Sequence, residues 1–332
     1  MKKFNIIVPT INLDAYVLNF LNKINDQNHS SYYVTIVANN INKNIKKFSK
    51  YKNCKIIFTK KNSVGFKRNL GANTFRSKYL VFFDSDSYPN KNWLKIAEIH
   101  LQSNDVVGGP SIPFPNTRGL KKICHNAKRS FFTTGFLNFR KYKSSSRLCE
   151  WLESCNFAIK KNVYLKLKGM DKKLVIGEDK DFFYKASNTI KNFKIFFHPD
   201  LFIYHDERPA FKFFLQRAIY GTAIFDLFKP TSIRDYAIFL PIIICLLLLL
   251  LIKENFKYGY VHLILTTAYI MLFFFIIIYF NTYHYVKSKK KIILTIIFIF
   301  LANISFAIGN FICILGFKDK FQNFFYKKSR KY

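Results

Sequence analysis

The sequence predicts an α/β front end, an open and mostly parallel sheet with helices on both faces, followed by a C-terminal α-helical transmembrane region. Three observations predict it. Short β-branched runs alternate with amphipathic stretches from residue 4 onward, one such run ends on a pair of carboxylates, and almost all the long apolar runs fall after Tyr236. With 332 residues the chain can hold one large domain or two moderate ones around a real core. A 50% hydrophobic content excludes an intrinsically disordered chain.

The elements follow in order. Phe4-Asn5-Ile6-Ile7-Val8 reads as a buried strand stopped at Pro9. Leu13, Tyr16, Val17, Phe20, Leu21 and Ile24 then recur at helical spacing. Tyr33 to Val37 and Lys55 to Phe58 read as the next strands, Ser63 to Ser77 as a helix, and Tyr79 to Phe83 as a strand that runs into Asp84 and Asp86. In open α/β sheets ligands bind at the carboxyl ends of the strands, which is where those acids fall. Residues 110–150 break the rhythm: Pro110, Pro113 and Pro115 precede a basic, aromatic and serine-rich stretch with no clear period, expected to be a functional loop, a candidate for the acceptor side, or a mobile one. Regular structure resumes at Ser154 and continues to about His205.

The expected organisation is a front domain over 1–206, an amphipathic helix and linker over 207–235, a transmembrane region over 236–316 and a basic tail over 317–332. Phe211, Phe214, Leu215, Ala218, Phe225 and Phe228 lie near one face of the amphipathic stretch, which suits either an interfacial helix or one that packs in a core. Three apolar segments follow, at about 236–252, 259–280 and 292–316; the second and third exceed the ~20 residues that cross a bilayer. Lys287, Lys289, Lys290 and Lys291 place the loop between them on the cytoplasmic side. Three crossings agree with a cytoplasmic front domain but put the basic tail outside. Either the first segment is re-entrant or the tail departs from the rule.

The formal net charge is +34, from 53 Lys+Arg against 19 Asp+Glu. Lysine dominates that excess and is a poorer base reader than the planar arginine fork. No zinc-finger spacing, recognition-helix pattern or RNA-binding aromatic signature accompanies it, so membrane lipid headgroups and phosphorylated substrates are the expected partners and nucleic acid is not. The six cysteines include no CxxC, which speaks against a disulfide framework or a metal site by spacing and fits a reducing compartment. The first apolar run is too short for a secretory leader. The expected location is the inner (plasma) membrane, multi-pass, with the catalytic domain in the cytoplasm.

The strongest local feature is Phe83-Asp84-Ser85-Asp86. Two carboxylates spaced two apart after a buried strand suit Mg²⁺ or Mn²⁺, hard cations that take oxygen ligands and bind diphosphate as well. A surface turn explains the same residues, and Asp-x-Asp alone does not separate the two. Upstream lies Asn62 to Ala72, containing Arg68-Asn69; downstream come Asn156, Gly169-Met170-Asp171, Gly177-Glu178-Asp179-Lys180-Asp181, His205, and Gln216-Arg217 with Tyr220-Gly221.

The order and spacing of these motifs, together with Ile7-Val8-Pro9-Thr10 and Asn12, resemble the family 2 glycosyltransferases over about residues 4–221. The resemblance implies the GT-A nucleotide-diphospho-sugar transferase fold, with its Rossmann-like sheet, and an inverting, metal-dependent transfer of a sugar from a nucleotide-sugar donor. It implies that Asp86 binds the divalent cation (Mn²⁺ or Mg²⁺), with Asp84 holding the metal or the donor ribose. Asp179 is implied as general base, with Glu178 assisting it or contacting the acceptor. Pro9, Asn12, Asn39, Arg68 and Arg217 are implied on the donor side. His205 is implied near the metal or diphosphate, or else as a histidine bonded inside the fold. Asn156 either touches the acceptor or caps a turn.

Two departures from the family pattern bear on substrate. Ala38 stands where an aspartate usually contacts the nucleotide base, with Asn39 beside it as a substitute. The Gln-x-x-Arg-Trp motif of processive synthases is absent; Gln216 to Tyr220 is the nearest stretch, which favours single addition. The expectation is therefore transfer of one sugar to a lipid-linked or other membrane-associated glycan acceptor in surface polysaccharide biosynthesis. Transfer to a polyprenyl phosphate is the alternative within the same class. An inactive, membrane-tethered nucleotide-sugar binder acting as an assembly partner is the alternative outside it.

Overall fold

The computed structural model of the chain describes residues 2–40, 47–48, 50–223 and 259–329, with a few isolated positions between 243 and 253. The expected span at 236–252 and residues 224–235 of the expected linker lie essentially outside the described residues. The chain divides into two compact units, Met1–Pro115 with Phe139–Asp206 and Asn116–Asn138 with Glu207–Tyr332.

The first unit is built on an eight-stranded sheet. In chain order its strands and helices begin β1 (Phe4–Pro9), α1 (Ala15–Asn25), β2 (Tyr32–Ala38), β3 (Cys54–Phe58), α2 (Val64–Ala72), β4 (Tyr79–Phe83), β5 (Ser87–Pro89), α3 (Trp93–His100), β6 (Val106–Gly108) and β7 (Ser111–Pro113). After an excursion into the second unit come β8 (Arg147–Leu148), β9 (Asn156–Lys160), α6 (Lys161–Lys166), α7 (Glu178–Thr189), β10 (Ile195–Phe197) and β11 (Ile203–His205). The excursion itself carries α4 (Gly119–Arg129) and α5 (Phe131–Thr134).

The large sheet runs β3-β2-β1-β4-β9-β6-β10-β8. The first four strands are parallel, whereas β9 runs antiparallel to both β4 and β6. The sheet is thus mixed, as in GT-A domains, with a parallel half that reads clearly in sequence. Every residue of β1 and β4 is buried, which is why those strands read as near-continuous apolar runs, broken only by Asn5 in β1. A smaller sheet, β5-β11-β7, lies beyond the end of β4.

Local chemistry explains the helix starts. The Asp14 carboxylate accepts from the Tyr16 and Val17 amides at 3.0 and 3.1 Å, and the Ser63 hydroxyl accepts from the Phe66 amide at 3.3 Å. α1 turns Val17, Phe20, Leu21 and Ile24 into a core shared with β1, β2, β4 and α3. α2 lies unusually close to the sheet. The Asn5 amide donates to the Gly71 carbonyl at 2.9 Å and its oxygen accepts from Thr35 at 2.8 Å, so this buried polar residue is satisfied on both sides. A methyl group on Gly71 would stand 2.5 Å from the Ile7 side chain, so the approach needs glycine.

The second unit is helical: α4, α5, α8 (Ala210–Thr222) and the helices Tyr260–Tyr283, Lys289–Ile314 and Lys318–Ser329. Residues 119–129, expected as irregular loop, form a helix. The helix is amphipathic, burying Ile123, Cys124 and Ala127 while its lysines and Arg129 keep partly exposed positions. α8 crosses the Lys289–Ile314 helix through small residues: a methyl added at Gly221 would run into the Phe306 carbonyl, and one at Gly309 into that of Ala218. This packing leaves Phe213, Ala218 and Ile219 buried beside a helix that is itself apolar enough to cross a membrane. Among the described residues, two helices are long and apolar enough to cross a membrane, through Ile264–Tyr283 and Lys289–Ile314, matching the second and third expected segments.

Gly71→Ala should push α2 off β1 and lower stability by ~1–3 kcal/mol, the usual range for overpacking. A thermal unfolding midpoint of the solubilised protein equal to that of the unsubstituted chain would contradict the close approach.

Candidate functional site

Two strand ends and one turn assemble the acidic end of the site. β4 stops at Phe83, and the Asp84 carbonyl accepts from the Ser87 hydroxyl at 2.8 Å, closing a turn that leaves Asp84 and Asp86 partly exposed. β11 pairs antiparallel with β5, setting His205 opposite Ser87 and so beside Asp86. The Asp206 amide donates to the Asp86 carbonyl at 3.0 Å and locks this corner. His205 Nδ1–H donates to the Asp206 carbonyl at 2.8 Å, so in the neutral ring Nε2 is the lone-pair nitrogen, 3.5 Å from Asp86 Oδ1. The Tyr16 hydroxyl donates to the Asp206 carboxylate at 2.7 Å; that bond and burial push its pKa up to about 12.

This donor set fits a divalent cation. Asp86 offers a carboxylate and His205 an imidazole lone pair whose tautomer is set by a backbone carbonyl, the usual support for a metal-bound histidine. Asp84, Cys155 and His205 also bring one potential ligand atom each to within 4.8 Å of one another. Cys155 comes from register: Phe83 pairs with Asn156, so Asp84 and Cys155 are the next residues on the two strands.

Arg68 links this end to α7. Its side chain is only 2% exposed, and its guanidinium donates from Nη2 to Asp84 at 2.9 Å and from Nη1 to Glu178 at 2.6 Å. Burial alone would lower its pKa; the neighbouring acids raise it, so the cation is fixed. Gly177, at φ 75°, takes the left-handed conformation that starts α7 and turns Glu178 and Asp179 together. Asp179 accepts from the Ser154 amide at 3.0 Å and the Lys180 amide at 2.8 Å. Burial, and next the Glu178 charge, nevertheless push its pKa up to about 6. The third acid, Asp181, pairs instead with Lys185 on the same helix at 2.6 Å.

The ends of β1 and β2 form a separate polar cluster. Lys67 is buried, and its ammonium donates to the Thr10 carbonyl at 2.5 Å and to Asn39 Oδ1 at 2.6 Å. The Asn39 amide donates in turn to the Thr59 and Lys61 carbonyls at 2.8 and 3.1 Å. Asn12 is exposed and accepts from Asn40 at 2.8 Å, while Pro9 is buried at the end of β1.

The structure thus brings Arg68, Asp84, Asp86, Glu178, Asp179 and His205 into one linked arrangement, with Pro9, Asn12 and Asn39 at the neighbouring strand ends. Asn156 takes the structural half of its expectation. It is 1% exposed; its amide donates to the Gly109, Pro110 and Leu201 carbonyls and its oxygen accepts from Trp93 Nε1 at 3.0 Å, leaving no surface for an acceptor. Asn69, next to Arg68, is similarly committed to Tyr164 and Met170. Arg217 belongs to the second unit, its guanidinium 5.0 Å from the Phe306 ring centroid. Cys155 and Lys67 were not singled out from sequence. Lys67 carries a faint signal in standing beside Arg68, whereas Cys155 carries none, because only strand register brings it to Asp84.

Arg68→Met should destabilise the protein by ~3–5 kcal/mol, since Glu178 would keep a buried charge without its partner. Urea unfolding would show it; an unchanged midpoint would mean that the bridge holds nothing together.

Comparison with known proteins bears on the fold. The family described as Glycosyl transferase family 2 matches residues 5–164. Among solved structures, the mannosyltransferase PcManGT from Pyrobaculum calidifontis, in complex with GDP-Man and Mn²⁺, is similar with a TM-score of 0.60 and 14% identity, covering 93% of this chain and 87% of that one. S. aureus TarS in complex with UDP-GlcNAc is similar with a TM-score of 0.47 and 20% identity, over 70% and 69% of the two chains. No curated protein matches the chain. The front of the chain is a GT-A domain that matches Glycosyl transferase family 2 over residues 5–164 and is followed by C-terminal helices.

Proposed function

We propose that the chain is an inverting glycosyltransferase that moves a single sugar from a nucleotide-diphosphate sugar to a lipid-linked or other membrane-held acceptor. The observation that carries this reading is the Arg68 bridge, which holds an acid of the strand-end turn and an acid of α7 on one guanidinium. The match to Glycosyl transferase family 2 supports the same class of donor.

In this reading Asp86 and His205 would hold Mn²⁺ or Mg²⁺, with Asp84 beside them. When bound, such an ion neutralises charge on a departing diphosphate. Asp179 takes the proton of the acceptor hydroxyl as its oxygen attacks the anomeric carbon; the electron pair of the broken bond leaves with the nucleotide diphosphate. Attack on the face opposite the leaving group inverts the anomeric centre. Glu178 and burial keep Asp179 basic enough for this, because a base works best with a pKa near the working pH. Pro9, Asn12 and Asn39 would border the nucleotide. Asn39 is held by Lys67 and by the Thr59 and Lys61 carbonyls, so at the ends of β1 and β2 a bonded amide stands where the usual carboxylate would contact the base. A donor-phosphate role for Arg217 rests on the resemblance alone.

The two apolar helices support a membrane-held protein, with Lys287 and Lys289–Lys291 favouring a cytoplasmic side for the loop between them. Anchoring keeps the catalytic unit beside an acceptor confined to the bilayer, in the inner (plasma) membrane, for surface glycan synthesis.

Asp179→Asn should lower kcat by ~10²–10⁴-fold with donor KM little changed, the contribution of a positioned base. Undiminished transfer would sink the assignment. Because only the ionised carboxylate accepts a proton, turnover should fall as pH drops through about 6, where the ordinary aspartate value of 3.8 would leave it flat. A pH profile that stays level down to about 4.5 would contradict the raised pKa.

A further inference from the structure

The metal end of the site contains one side chain that a hard cation does not use. Cys155 is buried, and its sulfur lies within 4.8 Å of ligand atoms on both Asp84 and His205. The three residues come from the end of β4, the residue before β9 and the end of β11, so register in two sheets holds them together. Mg²⁺ and Mn²⁺ prefer oxygen, whereas a thiolate selects softer ions, Zn²⁺ first among the abundant ones. Tetrahedral zinc with bonds of ~2.0–2.3 Å sets its ligand atoms ~3.5 Å apart, so these side chains need to close by only about an ångström. Asp86 Oδ1, at 3.5 Å from His205 Nε2, already stands at the spacing of a fourth ligand.

We propose that Asp84, Cys155 and His205, completed by Asp86, form a site for a thiophilic divalent ion such as Zn²⁺, and that filling it switches transfer off. On binding, the Cys155 S–H bond breaks, the sulfur pair goes to the metal and the proton leaves to solvent. Thiolate and two carboxylates supply the negative charge that offsets the nearby Arg68. A four-ligand shell is closed and leaves no position for a donor oxygen, unlike the open shell that catalysis needs. It also occupies Asp86 and His205, the ligands assigned above to the activating ion. The inhibitory part rests on that assignment; the binding part does not.

Co²⁺, a spectroscopic stand-in for zinc, separates the two. The full-length solubilised protein, stripped with chelator and titrated with Co²⁺, should develop a thiolate-to-cobalt charge-transfer band that saturates at a single ion per chain. Zn²⁺ should bleach that band and Mg²⁺ should not. Cys155→Ser should abolish it and weaken zinc binding by at least the ~10–100-fold that loss of even an outer-shell partner costs. Absence of the band in the unsubstituted protein, or its persistence in Cys155→Ser, would overturn the proposal. If Cys155→Ser does not fold, His205→Ala serves: cobalt affinity should fall by the same order, and unchanged affinity overturns it. Turnover is then scored against each protein's own zinc-free rate, with zinc expected to stop the unsubstituted enzyme and spare Cys155→Ser. Zinc inhibition equal in both refutes the switch. A chain with no transferase activity at all would sink the proposed function and with it the switch, while the cobalt band decides the site independently.

Discussion

A single buried guanidinium organises the site. Arg68 leaves α2 with almost no exposed surface and divides its donors between Asp84, which ends β4, and Glu178, which begins α7. Burying that many ionised groups is tolerable only because each is paired and hydrogen-bonded. The same pairing sets Glu178 beside Asp179, whose pKa is raised first by its own burial and next by the neighbouring Glu178 charge. The bridge depends in turn on the close seat of α2 on β1, which Gly71 permits and Asn5 fastens. A packing constraint in the sheet thus becomes an electrostatic property of the site.

The second organising feature is the antiparallel strand β9 set between β4 and β6. A purely parallel sheet would need a crossover to bring another strand end beside Asp84. Here the chain enters β9 at the edge where β4 leaves, so Ser154 and Cys155 arrive at the carboxyl end of β4. The Ser154 amide and hydroxyl then contact Asp179 and Glu178, tying the strand end to α7. β11 completes the arrangement by carrying His205 to Asp86.

Sequence and structure agree where one local pattern decides the outcome. The strands at 4–9, 32–38 and 79–83 are fully or largely buried runs bounded by Pro9, Asn39-Asn40 or acids, the strand at 54–58 is a partly buried edge, and all four form where the β-branched runs put them. The two long apolar helices are equally plain, since composition alone specifies them. Agreement ends where tertiary context decides. The helix Ser63 to Ser77 stops early, at Ala72, with Asn73 as its cap. Residues 119–129 are helical rather than irregular, and Ile123, Cys124 and Ala127 on their apolar face find partners far along the chain. Asp84, Asp86, Glu178 and Asp179 could be found as acids in a chain that has few. Asn156 could not be sorted from sequence, because an asparagine that satisfies three carbonyls inside the fold looks the same as one that faces a ligand. The pairing of Cys155 with Asp84 depends on a register between segments some seventy residues apart.

Donor turnover is the most direct test of the central claim. Membranes carrying the protein would be supplied with a panel of nucleotide sugars, Mn²⁺ or Mg²⁺ and native lipid extract, and release of nucleotide diphosphate recorded beside an Asp86→Ala control. The account predicts metal-dependent release from one donor, lost in the control. Release from no donor, or release that survives in Asp86→Ala, would contradict it.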